Sequence, residues 1–60
     1  MLKAVKNDSL QMLEIYLQTE QGPKTLWLSP KERVLVPESY IGQQLKTLLT
    51  RRMVKITNAS

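Results

Sequence analysis

Sixty residues make one domain, and at that length folding buries only about 60% of the surface the unfolded chain exposes, so stability has to come from tight packing or from a partner. The chain has no cysteine and no histidine, which removes disulfides and leaves almost nothing to build a zinc staple from. Nine Lys and Arg against five acids give a net charge of +4, which admits an anionic partner but speaks to solubility and attraction rather than to fold.

The opening residues Met1 to Lys6 carry two lysines but no apolar run behind them of signal-peptide length, and no segment approaches the roughly 20 apolar residues of a membrane span. The expectation is a soluble chain with no membrane contact. Two Asn-x-Ser triplets, at Asn7 and Asn58, read as coincidence without a secretory signal.

In chain order, Leu2 to Lys6 is the first predicted strand, and Asn7-Asp8-Ser9 supplies the backbone-bonding side chains of a hairpin turn. From Met12 to Thr19 the residues alternate, Leu13, Ile15 and Leu17 on one face and Met12, Glu14, Tyr16 and Gln18 on the other, the period of a half-buried strand. Gly22 and Pro23 break that run, one by tolerating positive φ and the other by fixing φ and donating no hydrogen bond. A strand over 24–28 follows, with Leu26 and Leu28 inward and Trp27 outward. Ser29 to Glu32, with Pro30 second, predicts a type I turn into a strand over 33–36, completing a meander.

Pro37 ends the fourth strand, and Ser39 is a good N-cap for a helix over 40–51 whose Ile41, Leu45, Leu48 and Leu49 share a face. Gly42 in its first turn costs about 1 kcal/mol against alanine, while Glu38 before the helix and Arg51 and Arg52 at its end suit the macrodipole. A last strand over 53–57 aligns Val54 with Ile56, and Asn58 to Ser60 reads as a frayed tail. The expected fold is mainly β with one helix, order β-β-β-β-α-β. The core of Leu13, Ile15, Leu17, Leu26, Leu28, Val34, Val36, Ile41, Leu45, Leu48, Leu49, Val54 and Ile56 would sit in a small curled antiparallel sheet or SH3-like open barrel.

Catalysis is not expected. A Ser nucleophile lacks its usual His base, and Asp8, Glu14, Glu20, Glu32 and Glu38 fall singly on turns or outward strand positions. Gly22 and Gly42 are the only glycines and open no phosphate-cradling loop, so no cofactor or small-molecule ligand is expected either.

Two surfaces stand out. Met12, Tyr16, Trp27, Leu35 and Met53 point away from the assigned core and would form an apolar interface for neighbouring protein. The alternative is that some of them close the far side of a small barrel. The last third of the chain carries Lys46, Arg51, Arg52 and Lys55 with no acid after Glu38. That set is a contact patch for nucleic acid, the second choice of partner, or for an acidic protein face, or else a solvated helix end.

The ordered pieces also resemble small virion structural proteins of tailed bacteriophages and related contractile particles. The likeness runs through Val5, Asn7 and Ser9, then Pro30, Glu32, Val34, Val36 and Pro37, then Leu45, Leu48, Leu49 and Arg52, and finally Val54 and Ile56. It departs at Lys31, where glycine is expected after the turn proline. The resemblance implies a subunit of a capsid, neck or tail, made in a host cytoplasm and present in many symmetric copies.

Overall fold

The computed structural model describes residues 1–59. Its strands are β1 (Leu2–Asn7), β2 (Leu13–Thr19), β3 (Gly22–Leu28), β4 (Arg33–Pro37) and β5 (Val54–Asn58). A 3-10 turn over Glu38–Tyr40 and one helix, α1 (Gln43–Thr50), lie between β4 and β5. The class is as the alternation predicts: a small, mostly β domain with one helix, antiparallel pairing and element order β-β-β-β-α-β. The tail expected at Asn58 is the end of β5, and Ala59 N–H donates to the Leu2 carbonyl; Ser60 lies outside the described residues.

The pairing departs from the expected one. Instead of a single sheet there are two, a three-stranded sheet in the order β4-β1-β5 and the hairpin β2-β3. Neither the predicted β1–β2 hairpin nor the β2-β3-β4 meander forms, because β1 takes the centre of its own sheet and pairs with β4 on one side and β5 on the other. Chain neighbours pair only about two-thirds of the time, and here two of the connections jump between sheets.

Asn7 shows why the first turn does not make a hairpin. Its side chain is fully buried and spends every hydrogen-bonding valence. Nδ2 donates to the carbonyls of Gln11 (2.8 Å) and Leu28 (2.9 Å), while Oδ1 accepts from Ser9 N–H (2.9 Å) and Ser9 Oγ (2.6 Å). Its backbone N–H reaches Glu32 O (2.9 Å) and its carbonyl receives Lys31 N–H (2.8 Å). One residue thus holds the end of β1, the loop into β2, the end of β3 and the β3–β4 turn together.

The core lies between the inner faces of the two sheets. Val5, Val36 and Val54 face Leu13, Ile15, Leu17 and Leu28, with Leu45 of the helix closing one side. Each such side chain contributes about 1.5–3 kcal/mol on full burial. Val5 and half-buried Tyr40 join the core unpredicted, whereas Leu49 is largely exposed and is not part of it.

The helix begins later than expected. Ile41 is extended and bridges to Leu17, and Gly42 stands at the N-cap, so Ser39 caps nothing. Gly42 is therefore no helix-interior defect; a Cβ there would come within 3.0 Å of the Gln18 side chain. At the other end, Met53 N–H reaches Leu48 O and Arg52 N–H reaches Leu49 O, both at 3.0 Å, the paired bonds of a Schellman cap. Arg52 occupies the left-handed position there (φ 61°) that glycine usually takes.

The turns also correct the sequence expectation. β3 starts at Gly22 (φ 105°) rather than at residue 24, and Pro23 is accommodated opposite Gln18 because β3 is paired on one side only. The Ser29–Glu32 turn is closed by Glu32 N–H on Ser29 O, but Lys31 has φ 68°, which belongs to a type II turn and not the predicted type I.

Candidate functional site

Register decides which outward residues become neighbours. In the hairpin, Glu14 stands opposite Trp27 and Tyr16 opposite Thr25, so Trp27 is diagonal to Tyr16 on the outer face. Diagonal partners at about 7–8 Å are within reach of aromatic side chains. Trp27 is 56% exposed, Tyr16 43%, and Met12, just before β2, 53%. The loop that leads into Met12 adds Leu10, 89% exposed, which the sequence patterning passed over because a turn leucine belongs to no alternation.

This face is held firmly. Tyr16 Oη donates to Glu14 Oε1 (3.0 Å), and that bond, followed by the nearby carboxylate charge, raises the phenol above its usual 10.0. On the open edge of β2 the Gln44 side chain takes the place of a further strand: its Nε2 donates to Glu14 O (3.0 Å), and its Oε1 accepts from Tyr16 N–H (3.1 Å). The helix thereby fixes the backbone under the aromatic cluster.

Of the five residues expected to form one apolar interface, three lie together and two do not. Met12, Tyr16 and Trp27 belong to the hairpin. Leu35 is exposed but sits on the outer face of the other sheet, opposite Ala4 and diagonal to Leu2. Met53 packs against the core instead, because as the residue after the helix cap it lies beside Leu48 rather than on an outer strand face. For Leu35 the cause is that alternation separates inner from outer, but two sheets have two outer faces.

The basic set divides similarly. Lys46, Arg51 and Arg52 ride the helix and its cap, whereas Lys55 lies on the outer face of β5, directly opposite Lys6. Lys6 is in turn opposite Arg33 on β4, so Arg33, Lys6 and Lys55 form a cross-strand row of three cations on one face. This row escaped sequence reading because its members lie far apart in the chain and only register brings them together. Asp8 touches its end, 3.8 Å from Lys55 Nζ and 3.6 Å from Lys31 Nζ.

Nothing in the described residues groups His, Cys, Asp or Glu side chains so that they could share a metal ion. One depression is lined by Thr19, Glu20, Lys24 and Tyr40, with the Thr19 hydroxyl donating to Gly22 O (2.6 Å), and another lies between Ile41, Leu49 and Ile56. Asn7, the first of the Asn-x-Ser residues, is sealed from solvent and cannot be modified in the folded state.

No family model, no curated protein and no solved structure matches this chain. The resemblance to virion proteins consequently finds no support among known proteins, and the assignment to a bacteriophage virion, capsid or tail is set aside. What carried that resemblance is largely turn, cap and core residues, which serve folding in any small β domain.

Proposed function

We propose that this domain is a non-enzymatic binding subunit that docks a neighbouring protein through the outer face of its β2–β3 hairpin. The observation that supports this most is the exposure of Trp27, Tyr16 and Met12 on one small, rigid face. Scattered exposed apolar residues are ordinary on a soluble protein, but an aromatic pair with a methionine beside it is the composition of an interface anchor. Tyr16 and Glu14 are already bonded to each other, so little ordering is left for the moment of docking. The size of the domain points the same way, since 60 residues gain stability when a partner covers an apolar face.

Size-exclusion chromatography with light scattering tests the reading. The purified chain is expected to associate beyond a monomer in a concentration-dependent way, and Trp27→Glu to shift it to the monomer mass while its far-UV circular dichroism stays that of the folded chain. A monodisperse monomer indifferent to Trp27 overturns it.

A further inference from the structure

We infer that the outer face of the three-stranded sheet is a docking surface for the phosphate backbone of duplex nucleic acid, centred on the row Arg33, Lys6 and Lys55 with Lys31 at its margin. Like charges directly opposite on adjacent strands are destabilising, and here the arrangement occurs twice in succession, Arg33 against Lys6 and Lys6 against Lys55. Neutralisation from within the domain is slight. Among the described residues Asp8 is the one carboxylate in ion-pair contact with the row, through Lys55, and neither Lys6 nor Arg33 has such a contact.

A second observation lies at the margin. Lys31 holds a left-handed backbone that favours glycine, and its ammonium is nonetheless present beside Asp8, 55% exposed. A strained non-glycine residue that adds charge next to an already crowded cationic row fits a surface shaped for an external anion.

The geometry favours the backbone of a nucleic acid over other anions. Strands lie about 4.8 Å apart, so the backbone positions that carry the three cations span about 10 Å, and their long side chains can reach successive phosphates of a regular array. The rest of the face is Leu2, Ala4, Leu35, Pro37 and Thr57, with no aromatic ring on which an unpaired base could stack. Single-strand binders rely on such stacking, so a duplex read only through its phosphates is the fitting ligand. This surface is separate from the hairpin face and does not depend on the role proposed for it.

The test is fluorescence anisotropy of a short labelled duplex DNA titrated with the full chain across a salt series. Binding is expected at low salt, and the variant Lys6→Gln with Arg33→Gln and Lys55→Gln should flatten the plot of log K against log salt by about 2 to 3, at about 0.9 for each phosphate no longer neutralised. A charge-matched control, Lys46→Gln with Arg51→Gln and Arg52→Gln, should retain the slope, as should Trp27→Glu. Thermal unfolding accompanies each variant: the row variant should melt no lower than the parent, because it removes repulsion. No anisotropy change with the parent chain at low salt overturns the inference, as does equal weakening by the row and control variants. Phosphatidylserine vesicles and polyglutamate are run alongside; binding to either as tight as to DNA, with the same dependence on the row, would also overturn the nucleic-acid assignment.

Discussion

The two outer faces of this domain are built by the same alternation and end in opposite chemistry. On the hairpin, register sets Trp27 against Glu14 and diagonal to Tyr16, giving an aromatic face with a single carboxylate already engaged by a phenol. On the three-stranded sheet it sets Arg33, Lys6 and Lys55 side by side, giving a line of repulsion beside an aliphatic patch. The first face gains by excluding water from apolar area and the second by exchanging counterions, so the two differ in salt dependence as well as composition. Strand pairing, which composition does not reveal, decides surface chemistry here.

The comparison breaks most completely at Asn7, the residue common to both sheets. Asn7→Ala leaves the buried Leu28 O and the part-buried Ser9 N–H without the Asn7 side chain, while Gln11 O keeps Ser9 Oγ (2.9 Å); at about 1–3 kcal/mol for a buried group left unsatisfied, and less for one that water can reach, a loss of about 2–4 kcal/mol is expected. Urea denaturation followed by Trp27 fluorescence and by far-UV circular dichroism measures it. The two probes should still coincide, since the residue ties both sheets into one unit.

Gln44→Ala sharpens the contrast, because it acts on the hairpin alone. Losing the two amide bonds to β2 should cost about 1–2 kcal/mol. Amide hydrogen exchange should show faster exchange at Tyr16 and little change at Val5 or Val34.

A smaller effect of opposite sign is expected at Arg52, whose left-handed backbone costs an L-residue about 1 kcal/mol. Arg52→Gly should raise the unfolding free energy, read from urea denaturation, by about that amount. Lys31→Gly relieves the same strain but also deletes the ion pair with Asp8, so its gain should be smaller.

The smallest effect is local to the hairpin. Tyr16 titrates above 10 because Glu14 accepts its hydroxyl hydrogen bond and adds negative charge. Since the folded state holds this proton more firmly than the unfolded chain, the associated stability is present below pH 10 and declines as pH rises through the folded value. Ultraviolet titration of the tyrosines should show a raised midpoint for Tyr16 that moves down in Glu14→Ala.

What the sequence made legible follows from how local each signal is. The β2 alternation, the reversal at Gly22 and the order of elements are properties of adjacent residues, and the structure bears them out. Ile41 misled because it fits the helical spacing of Leu45 and Leu48, yet its backbone is taken by a bridge to Leu17. Met53 misled because it belongs to the helix cap, before the strand begins, and Leu35 because period-two patterning tells a side chain's face but not which sheet owns the strand. The cationic row was invisible for the same reason, its members being brought together from residues 6, 33 and 55 by two ladders.

The amide of Gln44 has one more consequence. By occupying the hydrogen-bonding groups on the open side of β2 it denies them to any foreign strand, so the helix works as a guard against chain-on-chain polymerisation. A hairpin freed from that guard would offer an apolar ribbon of Leu13, Ile15 and Leu17 as a template for cross-β growth. On this edge of the hairpin, protection against a foreign strand rests on the helix staying docked.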